Sequence, residues 1–332
     1  MGKSAFSNIK SVSIRNFKSI KSVTLSDCRR INVLIGRPNV GKSNILEALS
    51  MFDVPYMVNS SNKSLKNLLR IENAADLFHN GVSSSAVEVS VDENSLSLGR
   101  MPNNGLSVDI KAKDDISRYS FSSSLTLLTK KEPEIFPNIL AYFFPRHFAA
   151  ESSNLGFLLP PSGANLMETV ANMPELKANL AELFHGYGLK MMFDSGSQQI
   201  KAMRENGLDM FLVPFGSLAD SLQRLIFYKA AIESNSNKVI CFEEPEAHTF
   251  PPYISNVVND IMASESNQFF ITTHSPYVVN SLLESAGDDL AVYIVDMEDN
   301  ATIVSRLTDE QLQDAYDNGM DLFYNLEAYL GK

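Results

Sequence analysis

Ile31-Asn32-Val33-Leu34-Ile35 is an apolar run of one strand's length, and Gly36-Arg37-Pro38-Asn39-Val40-Gly41-Lys42-Ser43 follows it directly. Beyond the loop, Ile45, Leu46, Leu49 and Phe52 recur on one helical face. A strand, a loop of pattern G-x-x-x-x-G-K-[ST] and a helix, in that order, place a phosphate-binding loop at the end of a sheet strand in an α/β fold. Glycines let backbone N–H groups and a helix N-terminus converge on an anion, Lys42 brings a cation for β- and γ-phosphates, and the Ser43 hydroxyl can ligate Mg²⁺. Gly36, Arg37, Asn39, Val40, Gly41, Lys42, Ser43 and Asn44 are therefore candidate nucleotide-binding residues, and Lys42 is expected to be an exposed loop charge.

Phosphate binding alone does not separate a kinase, a GTPase and an ATPase. Val239-Ile240-Cys241-Phe242 reads as a second buried strand, and it ends in Glu243 and Glu244 before Pro245. Phosphate-loop proteins put there an acid linked to Mg²⁺ and a base that orients water. Glu243 joins Ser43 as a metal candidate, and Glu244 is the catalytic candidate. Phe269-Phe270-Ile271-Thr272-Thr273-His274 is a third apolar strand, and parallel pairing would bring His274 to the same sheet edge as Glu244, as a γ-phosphate sensor. In isolation, two acids at a strand end read as a solvated turn and a single histidine as structural. The phosphate loop changes both readings.

Around these strands, alternation at Val12, Ile14, Phe17 and Ile20, then Val23 and Leu25, predicts an N-terminal β-hairpin. Residues 83–125, with Asn103-Asn104-Gly105 among Ser, Val and Asp, predict a β-rich antiparallel insertion. Pro160-Pro161 and Gly163 break the chain near 156–166, and helical patterns follow over 166–190. The last third alternates: helix 217–234, strand 238–242, helix 251–263, strand 268–272, helix 275–285, strands 290–295 and 301–306, and a terminal helix 309–330. That order predicts a mixed or mainly parallel sheet flanked by helices, with a helical lobe. Two lobes are expected, 1–155 with the phosphate loop and the β insertion, and 156–332 with the helical segment and the acid and histidine strands.

Composition narrows the function classes. The chain has 332 residues and a formal charge of −11, which argues against a surface built as a whole to hold nucleic acid. Lys10, Arg15, Lys18 and Lys21 form the one basic cluster near the N-terminus, read as a solvated strand edge. No run approaches the roughly 20 apolar residues of a membrane span, and the first residues lack a signal-peptide pattern. Cys28 and Cys241 have no metal-site spacing, which suits a reducing compartment, by default the cytoplasm.

GRPNVGKSN, VICFEEPEAHTFPP and QFFITTHSP together resemble the Walker A, Walker B with D-loop, and H-loop of ABC-type ATPases. With the opening IRNFKSI and INVLIG, the resemblance is to the SMC-like and OLD-like AAA-family ATPases of prokaryotic defence modules. It implies ATP with Mg²⁺ as ligands, Glu244 as catalytic base, His274 as switch histidine, and Pro245 to Pro252 as D-loop. It also implies a homodimer or higher oligomer closing head-to-tail around ATP and controlling an effector protein encoded nearby in anti-phage defence. Nucleic acid would be reached through the complex, and no membrane is involved.

The signature motif departs from that family. Where it carries Ser-x-Gly at a helix start, this chain has Gly216-Ser217-Leu218-Ala219-Asp220-Ser221, and either Ser217 or Ser221 is the candidate hydroxyl for the nucleotide. The stretch Phe148–Ser152 has Ser152 where an arginine is usual, and no Q-loop is assigned. OLD-family nucleases continue into a Toprim domain, for which the roughly 60 residues after His274 are too few. A nuclease site would rest on Asp296 and Asp299 alone. A transporter subunit would want an LSGGQ signature. The alternative of a DNA-repair or DNA-maintenance ATPase that clamps nucleic acid would want coiled-coil heptads, which the sequence does not show.

Overall fold

The structure, a computed structural model, describes residues 8–113, 115–131, 135–148, 150–153, 155–207 and 209–330. The first seven residues and Ala149 of the 148–152 stretch lie outside the described residues. The chain opens with β1 (Val12–Phe17) and β2 (Ile20–Leu25), the expected antiparallel hairpin. β3 (Ile31–Ile35) leads through the glycine loop into α1 (Lys42–Ser50). Then come β4 (Val87–Val91), β5 (Asn94–Arg100), β6 (Leu106–Ala112), β7 (Asp115–Phe121), β8 (Leu127–Lys131) and β9 (Ile139–Tyr142). The middle holds α2 (Leu166–Ala171), α3 (Pro174–Gly186), β10 (Lys190–Asp194), β11 (Gln199–Asn206), β12 (Asp209–Pro214) and α4 (Asp220–Glu233). The end holds β13 (Val239–Glu243), α5 (Pro251–Ala263), β14 (Gln268–Thr272), α6 (Pro276–Ser285), β15 (Leu290–Glu298), β16 (Ala301–Arg306), α7 (Asp309–Asp317) and α8 (Leu326–Leu330).

These elements form two compact units that interleave along the chain. One runs to Ala141 and takes up Asn237–Glu244 and the chain from Ser266, whereas the other holds Tyr142–Ser236 and Pro245–Glu265. They are not the consecutive stretches 1–155 and 156–332. The reason is strand pairing: β14 and β15 flank β3 in parallel and β13 pairs in parallel with β14, so strands distant in sequence share one sheet.

The first unit contains a six-stranded sheet in the order β16-β15-β3-β14-β13-β9, with β16 antiparallel to β15. β3 and β14 are buried along their whole length, the mark of parallel strands covered on both faces. Asn32, the polar exception in β3, is satisfied: its amide donates to the carbonyls of Arg29 (2.6 Å) and Phe269 (3.0 Å). The β-rich region is antiparallel as its sequence predicts, and it extends the N-terminal hairpin. β4 pairs with β1, giving a continuous sheet β2-β1-β4-β5-β6-β7-β8.

The second unit carries the helices α2 to α5 and a three-stranded antiparallel sheet, β10-β11-β12, which the sequence pattern did not suggest. At the other end of the chain, the single terminal helix expected over 309–330 is broken. Gly319 takes a left-handed φ of 59°, and the N–H of Met320 reaches back to Ala315 O, ending α7 with a glycine cap. Among the described residues no helix is long and apolar enough to cross a membrane.

Candidate functional site

The loop between β3 and α1 is shaped from behind. Gly36 and Gly41 have φ of 149° and 105°, and a Cβ on them would lie 2.1 Å from Val295 O and 2.1 Å from Thr302 Oγ1 respectively. Only glycine fits such an approach. Thr302 Oγ1 donates to Val40 O (2.9 Å) and Asn44 Nδ2 donates to Ser19 Oγ (2.7 Å), so β16 and the β1–β2 turn brace the loop. Asn39 adds a left-handed residue at φ 62°. α1 begins at Lys42 with no side chain capping its first turn, and Ser43 lies in that turn, half-buried. The N–H groups of that turn, left uncapped by side chains, are of the kind that can receive a phosphate.

Lys42 is not the exposed charge its loop position suggests. It is 4% exposed, and its Nζ donates to Gly36 O (2.9 Å) and Arg37 O (2.8 Å). The ammonium is thus tethered by the loop's own carbonyls. Arg37, by contrast, is exposed and pairs with Glu327 of α8.

β14 lies between β3 and β13, so all three strands end at one sheet edge. Register pairs Glu243 with Thr272, and the Glu244 N–H continues the ladder onto Thr272 O (2.9 Å). Glu244 itself sits at φ 41°, a left-handed conformation that a non-glycine residue adopts at a cost. That turn brings Glu244 Oε1 to 3.4 Å from His274 Nε2. Burial and the Lys42 charge push His274 below the ordinary histidine range, with Glu244 acting the other way.

Sequence reasoning missed the network behind this edge. Arg70 grips Glu243 through both terminal guanidinium nitrogens, Nη1 to Oε1 at 2.9 Å. Glu47 of α1, 3% exposed, pairs with Lys18. Lys18 is thus an interior partner, not a solvated strand edge. Burial raises the Glu47 carboxyl's affinity for a proton, and Lys18 opposes it. No spacing in the sequence marks these pairs, because their members lie far apart along the chain.

In the other unit, the candidate signature serines differ. Ser221 Oγ donates to His248 O (3.0 Å) and accepts from the Phe250 N–H (3.0 Å), tying the first turn of α4 to the 245–250 turn. Ser217 closes a short 3-10 turn, Phe215–Ser217, and is exposed. Asp296 lies within β15 and Asp299 in the β15–β16 turn, and among the described residues no group of three or more His, Cys, Asp and Glu could hold a metal.

The sequence matches the AAA ATPase domain family over residues 8–142 and 172–279, more than half of the chain. This chain belongs to the AAA ATPase domain family. Among curated proteins, the AAA ATPase is similar to an ATP/GTP phosphatase of Helicobacter pylori, 40% identical over 63 residues, which are 19% of this chain and 16% of that protein. It is also similar to an uncharacterized protein of Methanocaldococcus jannaschii, 41% identical over 44 residues, 13% of this chain and 20% of that protein. The chain thus matches no more than a fifth of the length of these relatives.

Solved structures carry the fold. An SMC head bound to the C-winged helix domain of ScpA superposes with a TM-score of 0.50 at 16% identity, over 91% of this chain and 98% of that one. An Smc head with an extended coiled coil, bound to the C-terminal domain of ScpA from Pyrococcus furiosus, gives 0.51 at 14% identity, over 93% and 98%. The AAA ATPase therefore has an SMC-head type of P-loop fold, mixed α/β with sheets flanked by helices.

Proposed function

We propose that this AAA ATPase binds and hydrolyses ATP with Mg²⁺, closes head-to-tail with a second copy around the nucleotide, and passes that closure to a separate effector. One observation carries the reading. Three adjacent strands deliver Lys42, His274 and Glu244 to a single sheet edge, with Glu244 and His274 3.4 Å apart.

In this reading the N–H groups of residues 36–43 hold the phosphates, and Lys42 exchanges the carbonyls of Gly36 and Arg37 for phosphate oxygens. Ser43 and Glu243 would hold Mg²⁺, an ion that keeps several waters and needs few protein ligands. Bound there, Mg²⁺ supplies neutralising charge to the β- and γ-phosphates. Glu244 orients the attacking water and takes its proton. His274 reports on the γ-phosphate through its contact with Glu244. Ser217 or Ser221 supplies the hydroxyl to the partner copy's nucleotide. Effector control follows the pattern of the prokaryotic defence ATPases that the motifs resemble.

The test is phosphate release by the purified chain, with its mass followed by light scattering as ATP is added and consumed. Release above buffer, and a monomer that doubles with ATP and returns as ADP accumulates, support both halves. A monomer in every nucleotide state would remove the head-to-tail pair, and no release would remove the hydrolysis.

A further inference from the structure

Arg70 follows α1 by twenty residues, and its backbone and side chain are held in contrasting ways. The backbone is anchored on an interior ion pair: Lys18 Nζ donates to Arg70 O (3.1 Å), and Glu47 Oε2 accepts from the Arg70 N–H (3.4 Å). The side chain is two-thirds exposed, yet its fork closes on the carboxylate of Glu243, which is only 11% exposed. A planar guanidinium on both oxygens of a carboxylate is a specific contact, not a chance surface pair. Glu243 is also the acid that ends β13, one residue before Glu244, at the edge read above as the site of Mg²⁺ and phosphates.

We propose that Arg70 is a positioning residue that holds Glu243 in place of a cation and yields it to Mg²⁺ when nucleotide is loaded, so that this pair sets how strongly ATP binding depends on the metal. The inference rests on the nucleotide-binding reading of the site. Its physics is charge exchange. A poorly solvated carboxylate beside a phosphate site repels the phosphates unless it is neutralised, and the guanidinium neutralises it without metal. Mg²⁺ offers the carboxylate a denser charge, and the displaced guanidinium is left to water and to Glu47, whose Oε1 already lies 3.9 Å from the Arg70 Nε. The Lys18–Glu47 pair stays in place and keeps the Arg70 backbone beside the site, ready to retake Glu243.

The experiment is calorimetric titration with ATP, in excess Mg²⁺ and in chelator, and the quantity read is the dissociation constant in chelator divided by that in Mg²⁺. Arg70→Ala should raise that ratio about threefold to tenfold, because ATP binds more weakly without metal and more tightly with it. Arg70→Lys, which keeps the charge and loses the fork, should fall in between. Glu243→Gln should lower the ratio, and adding Arg70→Ala to it should change nothing further, the signature of two residues acting through one contact.

A ratio unchanged by Arg70→Ala in a protein that binds ATP overturns the proposal, as does an undiminished rise in the double variant. If Arg70→Ala does not fold, Arg70→Lys paired with Glu243→Gln gives the same cycle. Wild-type protein that binds no ATP in either buffer defeats the nucleotide reading itself, an outcome distinct from failure of the Arg70 contact.

Discussion

At the start of α1 the phosphate loop is braced from three sides: Val295 O and Thr302 crowd its glycines, Ser19 holds Asn44, and Lys42 is tethered inside. At the start of α4 the chain is looser, with Ser217 exposed, Ala219 making no side-chain cap, and Ser221 spending its hydroxyl on the 245–250 turn. Both junctions present a helix N-terminus, and both are expected to meet ATP. Where the backbone must approach other atoms closely, residue types are dictated and the motif stays recognisable. Where N–H groups and one hydroxyl suffice, the motif can drift, and here it has lost its glycine.

If that contrast is right, substitutions at the α1 edge should damage chemistry, and those at the α4 start should act on stability or assembly. The largest effect is expected for Glu244→Gln. The amide keeps the shape and cannot take the water's proton, so single-turnover phosphate release should slow by about 10²–10⁴-fold while ATP affinity holds. Normal turnover in Glu244→Gln with a dead Glu243→Gln would move the base to the neighbouring acid and break the assignment of that edge.

Lys42→Ala comes next. Loss of a charge-assisted contact to phosphate should weaken ATP binding about 100-fold by calorimetry. Because the ammonium also serves two loop carbonyls, the variant should lose about 1 kcal/mol in denaturant unfolding as well. Unfolding affected with ATP affinity unchanged would mean that the lysine is only a structural staple.

The same contrast explains what could be read from sequence. The strands β3, β13 and β14 are apolar because both faces are covered, so their positions and the edge residues Lys42, Glu244 and His274 were legible. β10 to β12 were not. Their sheet is largely solvated, and β12 exposes Met210, Phe211 and Leu212 in succession, so no alternation marks it as a strand. Arg70 and Glu47 were missed for another reason: each matters through a partner remote in sequence, Glu243 or Lys18, and spacing carries no trace of such pairs.

The smallest effects sharpen the α4 side. Ser221→Ala removes a donor to His248 O and an acceptor for the Phe250 N–H, so unfolding should cost about 1–2 kcal/mol less. Ser217→Ala touches an exposed hydroxyl and should stay within about 0.5 kcal/mol of wild type. Their effects on ATP-driven mass doubling, measured in a Glu244→Gln background so that nucleotide persists, should then run the other way. A hydroxyl already spent on the 245–250 turn is poorly placed to serve a second copy, whereas the Ser217 hydroxyl is exposed to meet one. Ser217→Ala should therefore weaken doubling about threefold to tenfold, the scale of one hydrogen bond, and Ser221→Ala should weaken it less at temperatures below its melt. Equal doubling in both variants would leave the exposed backbone of the α4 start to meet the partner's nucleotide alone. A larger loss in Ser221→Ala would show that the turn releases its serine when the two copies close.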